Sequence, residues 1–278
     1  MGTIYELEHG AGMRPTVICL HASGGSGGQW RVLANAMKHG FHVLTPDLYG
    51  HGAAPSWDGP RGDIVAADVA RISGLAAEAG GTVHLVGHSY GGTIALRVAL
   101  AHPERVTSVA IYEPVPMRVL FDYNAKHRAA AEIAEIARDI RRALNGASFE
   151  HAARRFIDYW SGAGSWARLA PDVQATIAQR MPVTDAHFAS LIHDPVRLRD
   201  YANVRVPVLY LTGRETRASA RRMEELMRYA LPDVEAVRLD DMGHLGPITH
   251  AETVAQRIAQ FVRTHAGPER IVDDRKAA

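Results

Sequence analysis

The chain has 278 residues, of which 47% are hydrophobic and 22% are charged, proportions that are typical of globular proteins and that exclude a fibrous, disordered or membrane-spanning chain. Lys and Arg number 31 against 30 Asp and Glu, which leaves a formal charge of +1. No basic stripe or domain indicates a nucleic-acid surface, so we expect a small, uncharged molecule as the partner.

The N-terminal residues Met1–Glu6 lack the basic and apolar regions of a signal peptide. No apolar stretch approaches the roughly 20 residues that cross a bilayer. We therefore expect a cytoplasmic protein without a membrane partner. The single cysteine, Cys19, lies within an apolar run and is expected to be a buried strand residue rather than a reactive thiol. The polar tail Asp273–Ala278 is expected to fray.

Short runs rich in Val, Ile and Leu alternate with longer helical patterns along the chain. The runs are Thr16–Leu20, His42–Pro46, Val83–Val86, Val106–Tyr112, Val206–Leu211 and Glu235–Leu239. The helical patterns are Gln29–His39, Asp63–Ala79, Tyr90–Ala101, Ala218–Ala230 and Ala251–Thr264. Such runs are typical of strands that are covered on both faces, and the alternation predicts an α/β fold with a mostly parallel sheet.

The alternation is interrupted between Met117 and Arg199, where helical patterns such as Arg128–Leu144 and Ala170–Arg180 follow one another without a strand. Ligands of open α/β sheets bind at the carboxyl ends of strands, where this segment emerges. We therefore expect residues 117–199 to form a helical cap over a pocket, and residues 1–116 and 200–278 to form the core. An ordinary helical subdomain is the alternative. The cap side chains expected to line the pocket are aromatic: Tyr159, Trp160 and Trp166.

The segment Gly87-His88-Ser89-Tyr90-Gly91 follows an apolar run and opens a helical pattern. A Gly-x-Ser-x-Gly sequence in this context is typical of a nucleophile elbow, a sharp turn that exposes the serine hydroxyl in a strained backbone conformation. The two glycines leave space where a Cβ would collide with neighbouring backbone. Ser89 is therefore the predicted nucleophile, and a purely structural turn is the alternative.

A serine hydroxyl needs a general base at neutral pH. His244 lies between the last predicted strand and the last predicted helix, where the chain order serine, acid, histidine places the base. The alternative is a loop histidine that only bonds its own backbone. Another histidine, His250, stands at the start of the last helical pattern and is expected to be structural.

Acyl transfer also needs two N–H donors aimed at the developing oxyanion. The backbone of Tyr90 would give one donor, and the glycine-rich segment His21–Gly28 would give the other from Ser23, with Gly24 as the alternative. This segment lacks the Gly-Lys-Ser/Thr of a phosphate-binding loop. We expect Gly24 and Leu245 to line the substrate pocket as well.

Together, these features resemble the α/β-hydrolase superfamily over residues 15–265. His21-Ala22-Ser23 resembles the family's His-Gly-x segment, with Ala22 in place of the usual glycine, and Pro46–Gly52 resembles its Asp-x-x-Gly-x-Gly turn. The resemblance implies an eight-stranded, mostly parallel, doubly covered sheet with an inserted helical cap. It also implies hydrolysis without a cofactor or a metal.

The acid of the catalytic triad departs from the common pattern. Most members carry an aspartate three residues after a glycine at the end of the seventh strand, but Thr216 stands there. Glu215 is one residue early, whereas Glu113 ends an apolar run and resembles the acid in a branch of the haloalkane dehalogenases. We favour Glu113 over Glu215. Two weaker alternatives precede the histidine on its own loop: Asp240 and Asp241.

A serine nucleophile favours acyl transfer to water over the alkyl-ester chemistry of typical epoxide hydrolases and dehalogenases, which need a carboxylate. We therefore predict a serine esterase that cleaves small to medium carboxylic esters or lactones through an acyl-enzyme on Ser89. One alternative is a carbon–carbon bond hydrolase of the ring-fission type, which would need a pocket arginine such as Arg118 or Arg180. Another is a non-catalytic small-molecule receptor. The oligomeric state is left open between a monomer and a homodimer.

Overall fold

The computed structural model describes residues 14–266, so the N-terminal residues Met1–Glu6 and the tail Asp273–Ala278 lie outside the described residues. Within them, six strands form one sheet: β1 (Thr16–Leu20), β2 (His42–Leu44), β3 (Val83–His88), β4 (Val106–Tyr112), β5 (Val208–Gly213) and β6 (Val234–Leu239). All neighbouring strands pair in parallel. The predicted α/β class is confirmed, and residues 14–266 contribute six strands where the resemblance implied eight.

The strand order is β2-β1-β3-β4-β5-β6. The chain therefore moves outward from β1 to β2 and then returns to place β3 on the other side of β1. Ligands of open α/β sheets bind at such a reversal, outside the carboxyl ends of the strands. Here those ends are the loops that follow β1 and β3.

The helices within the described residues are α1 (Arg31–Met37), α2 (Ile64–Glu78), α3 (Tyr90–Ala101), α4 (Arg118–Asn124), α5 (Arg128–Asn145), α6 (Phe149–Ser161), α7 (Pro171–Gln179), α8 (Met181–Ile192), α9 (Ala218–Ala230), α10 (Gly246–Thr249) and α11 (Ala251–His265). Short 3₁₀ segments occur at Gly27–Trp30, Trp166–Arg168 and Leu198–Asn203. None of the helices in residues 14–266 has the length and apolarity that a bilayer-spanning segment needs.

β1 shows how the sheet is covered on both faces. Val17 and Cys19 belong to a hydrophobic cluster that includes residues of α1 and α11, whereas Ile18 and Leu20 belong to a second cluster that includes residues of α2 and α3. All four side chains are fully buried. Since successive strand side chains point to opposite faces, a continuous apolar run is what a doubly covered strand requires. Burial also raises the pKa of the Cys19 thiol, as expected for an unreactive strand residue.

The helical insertion, residues 117–199, connects β4 to β5 and contains α4 to α8. In α5, Ile133, Ile136 and Ile140 recur at helical spacing and are buried. They belong to the same hydrophobic cluster as β1 and α3 residues, together with Phe156 and Trp160 of α6. The insertion thus packs on the sheet side that carries α2 and α3. The division into a core and a cap with these bounds stays a prediction.

Candidate active site

Ser89 stands between β3 and α3, with backbone angles φ 53° and ψ −116°. A positive φ is strained for a residue other than glycine, and such strain persists only where the surrounding structure holds it. A Cβ on Gly87 would lie 2.4 Å from the Gly91 carbonyl oxygen, and a Cβ on Gly91 would lie 2.4 Å from the Leu20 carbonyl oxygen. Both glycines are therefore required for β3 to turn into α3 next to β1.

Three side chains from separate parts of the chain form a continuous hydrogen-bonded line. His244 Nε2 lies 2.9 Å from Ser89 Oγ, and His244 Nδ1 lies 2.8 Å from Glu113 Oε2. Because the carboxylate can only accept, we assign the imidazole proton to Nδ1, and Nε2 is left to accept the serine proton. Ser89 is 6% exposed, His244 4% and Glu113 1%, so little water reaches the line.

The Glu113 carboxylate is held by two further donors. The Gly213 backbone N–H donates to Oε1 at 2.9 Å, and the Thr216 hydroxyl donates to Oε2 at 2.7 Å. Thr216, which stands where the family pattern has its acid, therefore binds the acid instead of replacing it. This role of Thr216 was not predicted from the sequence, although a hydroxyl at a position that normally faces the histidine was a signal for it.

The alternative acids lie elsewhere. Glu215 has an exposed side chain, although its backbone N–H bonds Met242 O at 3.1 Å. Asp240 is exposed and forms an ion pair with Arg214, and Asp241 is exposed in a turn with φ 58°. Of the predicted acids, the structure brings Glu113 to the histidine.

His244 has two ring neighbours that the sequence analysis did not place. The Trp160 ring of the insertion stacks on it, with centroids 4.2 Å apart and an interplanar angle of 24°. His88 Nε2 donates to the His244 carbonyl at 2.7 Å, and its Nδ1 accepts from Gln29 Nε2 at 3.0 Å. Burial, and then the neighbouring His244, lower the pKa of His88 well below its usual value. His88 is therefore neutral and fixes the backbone of the His244 loop.

The oxyanion loop, defined here as residues 22–25, follows β1 and has three of its four amides occupied. Ala22 N–H donates to Gln29 Oε1 at 3.2 Å, Gly24 N–H donates to His51 Nε2 at 3.0 Å, and Gly25 N–H donates to Ala22 O at 3.0 Å. For the N–H groups of Ser23 and Tyr90, residues 14–266 show no hydrogen-bond acceptor. These two amides are therefore available to bind an oxygen of a ligand.

Two side chains of the insertion contact the oxyanion loop, one directly before α8 and one in the middle of that helix. Arg180 Nη1 donates to the carbonyls of Gly24 at 2.7 Å and Gly25 at 2.8 Å. His187 Nδ1 lies 2.7 Å from Ser23 Oγ. The insertion therefore touches the oxyanion loop as well as the histidine.

The predicted pocket residues occupy different places. Trp160 covers His244, and Gly24 lies in the oxyanion loop beside Phe156 of α6. Tyr159 packs edge-on against Trp160, and its hydroxyl contacts Ser219 Oγ at 2.7 Å. Trp166 is buried and Leu245 is half-buried. Pocket lining by all five residues stays a prediction.

Of the two predicted arginines, Arg180 lies at the oxyanion loop, whereas Arg118 forms an ion pair with Asp122 at 2.9 Å on α4. The predicted structural histidine, His250, precedes α11 and contacts the Thr249 hydroxyl at 2.9 Å. Across residues 14–266, no three His, Cys, Asp or Glu side chains converge as metal ligands would.

Comparison with known proteins gives a family and a fold. A family model described as the alpha/beta hydrolase fold matches residues 15–251. The pimeloyl-(acyl-carrier protein) methyl ester esterase of Aromatoleum aromaticum is 27% identical over 256 residues, which cover 90% of this chain and 99% of that protein. The similarity therefore extends over nearly the whole length of that esterase.

Two solved structures are similar at lower identity. An esterase from Thermogutta terrifontis is 21% identical, with a TM-score of 0.69 and 92% of both chains covered. The enol-lactonase from Burkholderia xenovorans LB400 is also 21% identical, with a TM-score of 0.69, 90% of this chain and 92% of that chain covered. At this identity the likeness shows the fold alone.

Proposed function

The chain belongs to the α/β-hydrolase family, and from this premise we propose that it is a serine hydrolase that cleaves carboxylic esters, including lactones, through an acyl-enzyme on Ser89. The observation that carries the proposal is the hydrogen-bonded line from Glu113 through His244 to Ser89, with distances of 2.8 and 2.9 Å. In this arrangement of carboxylate, imidazole and hydroxyl, each group has the partner that serine hydrolysis needs.

In the first half of the reaction, Ser89 Oγ attacks the ester carbonyl while His244 Nε2 takes its proton. Glu113 accepts the Nδ1 proton in a hydrogen bond and stabilises the imidazolium. The tetrahedral intermediate then expels the alcohol, which receives the proton from His244. Water attacks the acyl-enzyme in the second half, gives a proton to His244 and releases the acid, and Ser89 regains its hydrogen.

The negative charge of each tetrahedral intermediate falls on the former carbonyl oxygen. We assign its two donors to the backbone amides of Ser23 and Tyr90. The occupied amides of Ala22 and Gly24 support this assignment over the alternative of Gly24. Preorganised donors of this kind typically lower the barrier by about 3–4 kcal/mol each.

The imidazolium formed during the reaction has a second source of stabilisation. Trp160 stacks on His244 at 4.2 Å, and a cation over an indole ring gains about 0.5–2 kcal/mol when it is shielded from water. Because the Trp160 indole is largely buried, it also excludes water from the face of the imidazole that it covers. Trp160 therefore favours the charged histidine without a second carboxylate.

We propose small to medium, largely apolar esters as the substrate class. The relative from Aromatoleum aromaticum is named as a pimeloyl-(acyl-carrier protein) methyl ester esterase, and two apolar side chains of the insertion lie at the site, Trp160 on His244 and Phe156 beside Gly24. An apolar enclosure favours uncharged acyl or alkyl groups. Lactones need the same attack and the same donors, so they belong to the same class.

The proposal is tested with p-nitrophenyl acetate, p-nitrophenyl butyrate and a lactone panel. Ser89→Ala should lower kcat by roughly 10³-fold or more, the scale for removing the nucleophile of a triad. An organophosphonate probe should label Ser89 in the wild-type protein, and mass spectrometry of its peptides identifies the site. Turnover that survives Ser89→Ala would contradict the proposal.

A second candidate function rests on Arg180. A carbon–carbon bond hydrolase of the ring-fission type needs a cation near the site. The half-buried Arg180 guanidinium lies at the oxyanion loop, and both of its hydrogen bonds to the loop are made by Nη1. Consumption of a ring-fission dienoate, followed by its absorbance and lost in Arg180→Gln, would favour this function over ester hydrolysis. A displaced triad acid would favour the non-catalytic receptor, whereas the contact of Glu113 with His244 supports catalysis.

A further inference from the structure

His187, on α8, contacts both residues of the proposed oxyanion hole. Its Nδ1 lies 2.7 Å from Ser23 Oγ. Its ring stacks on the Tyr90 ring, with centroids 3.6 Å apart and an interplanar angle of 14°. The side chain is 1% exposed, so both contacts are shielded from water. A single buried ring thus bridges the loop after β1 and the helix after β3.

One internal hydrogen bond and several outside contacts hold the oxyanion loop. The Gly25 N–H donates to Ala22 O at 3.0 Å, but Gly24 has φ +77° and is followed by a second glycine, so the backbone at these two residues is only weakly restricted by itself. His51 binds the Gly24 amide at 3.0 Å, and Arg180 binds the Gly24 and Gly25 carbonyls. Ser23 itself is held through its hydroxyl by His187. Two of these three anchors come from the insertion.

The hydrogen bond between His187 and Ser23 has a preferred direction. Burial lowers the pKa of His187 well below its usual value, so the ring is neutral and carries one N–H. Its Nε2 has no partner among the described residues. A buried N–H without an acceptor is rarer than an unpaired acceptor, so we place the proton on Nδ1. His187 therefore donates to Ser23 Oγ and fixes the side chain of that residue.

From these contacts we infer that His187 is a positioning residue that holds Ser23 and Tyr90 in register, so that the oxyanion hole is complete only when α8 packs on the loop after β1. This inference rests on the proposed function. His187 does not touch the reacting atoms in this role, and it acts through the two backbone amides. Its loss should therefore weaken binding of the transition state and leave binding of the ester unchanged.

The first test replaces His187 by phenylalanine, which keeps a ring for Tyr90 and removes the hydrogen bond to Ser23. A misplaced donor should lower kcat with p-nitrophenyl butyrate by roughly 10- to 100-fold while KM stays within about twofold. Affinity for a trifluoromethyl ketone should fall by the same factor as kcat, because its adduct with Ser89 carries the oxyanion.

Ser190→Ala is the matched control. Ser190 is buried on the same helix, and its hydroxyl donates to Gly62 O at 2.7 Å and accepts from Val65 N at 3.3 Å, away from the oxyanion loop. The variant should lose stability and keep kcat near the wild-type value. A loss of kcat in Ser190→Ala that equals the loss in His187→Phe would show a general effect of loosening α8 and would overturn the inference.

A double variant separates positioning from direct contact. Ser23→Ala removes the hydroxyl that His187 holds and retains the backbone N–H, so it should reproduce the loss in kcat. Combined with His187→Phe it should add less than about twofold, because both changes break one interaction. Losses that multiply would overturn the inference. If His187→Phe does not fold, Ser23→Ala alone decides, and an unchanged kcat in that variant overturns the inference.

These outcomes are distinct from failure of the proposed function. If Ser89→Ala abolishes turnover while His187→Phe and Ser23→Ala retain it, the hydrolase proposal stands and the positioning role fails. If Ser89→Ala retains turnover, the proposed function itself fails.

Discussion

At the scale of single residues, Glu113 occupies an unusual position for the acid of a catalytic triad. It follows β4 with φ 41°, a strained angle for a glutamate, and its carboxylate accepts from Gly213, Thr216 and His244. The fold therefore holds the strain with three hydrogen bonds. Glu113 follows β4, the strand next to β5, and it can bind the histidine because Thr216, which follows β5, donates a hydrogen bond to it and is not a competing carboxylate.

The acid assignment gives a prediction. Glu113→Gln should lower kcat by roughly 10²- to 10⁴-fold, because a glutamine amide neither stabilises the imidazolium nor holds the required tautomer. Glu215→Gln, a change on an exposed side chain, is the matched control and should alter kcat by less than about twofold. Steady-state kinetics with p-nitrophenyl butyrate check both variants, and the opposite ranking would reverse the assignment.

Thr216→Val is nearly isosteric and removes only the hydroxyl that donates to Glu113. A buried carboxylate that loses a donor costs about 1–3 kcal/mol, so the free energy of unfolding should fall by that amount. The decrease in kcat should be smaller than in Glu113→Gln, since the carboxylate keeps Gly213 and His244. Urea unfolding measures the first effect, and unchanged stability would show that this hydrogen bond contributes nothing.

At the scale of elements, the sequence located most strands and helices, and proline explains two of the differences. The run Val206–Leu211 was predicted as a strand, whereas β5 begins at Val208, after Pro207. The run His42–Pro46 ends earlier as β2, at Leu44. Proline has no N–H for the ladder, so it stands at strand ends. β1, β4, α3 and α9 have the predicted bounds.

The elbow gives a prediction at this scale, with a matched pair of glycines. Gly91→Ala should destabilise the fold by several kcal/mol or prevent folding, because its Cβ would lie 2.4 Å from a backbone oxygen of β1. Gly74→Ala in α2 meets no atom within 4 Å and should raise the free energy of unfolding by about 0.5–1 kcal/mol through helix propensity. Thermal or urea unfolding compares them, and equal effects would contradict the close approach of α3 to β1.

At the scale of the whole molecule, buried histidines couple stability to pH. Burial lowers the pKa of His21 and His84 to about 4 and that of His51 to about 3, against the usual 6.5. Burial also lowers the pKa values of His88 and His187 well below that value. Between pH 6.5 and about 4, the unfolded chain therefore binds protons that these five folded histidines do not bind. The free energy of unfolding must fall as the pH falls through this window.

Two carboxyl groups oppose this trend, because burial raises the pKa values of Asp68 and Asp194. Burial raises the pKa of Asp68 to about 6 from 3.8, so between these values the folded protein binds the additional proton. We expect a net uptake of roughly two to four protons on unfolding near pH 5, which corresponds to about 3–5 kcal/mol per pH unit. Urea unfolding from pH 4.5 to 7 measures this slope. Asp68→Asn should make the slope steeper. His84→Gln, remote from the active site, should make it shallower by the equivalent of about one proton taken up on unfolding. A flat profile would show that these histidines titrate normally.

The class of the fold, the elbow and the pair Ser89 and His244 could be inferred from sequence because local constraints encode them. Glycine spacing dictates a turn, apolar runs dictate buried strands, and the chain order of motifs places the histidine. The residues of each motif lie close together in the sequence, although the motifs themselves are far apart along the chain. The catalytic roles of these residues stay predictions until the variants are measured.

Only the tertiary structure decided which side chains meet across long separations. The order of the strands brings Glu113 at the end of β4 to the loop of His244, and packing of the insertion brings Trp160 to that histidine and His187 to Ser23. None of these three contacts follows from local pattern, because helices of similar periodicity can pack in several ways and side-chain contacts depend on the orientation they adopt. The sequence by itself determined the nucleophile elbow, the parallel sheet and the place of the histidine, and it favoured Glu113 as the acid. Only the tertiary structure decided that Glu113 meets His244 and which side chains hold the oxyanion loop.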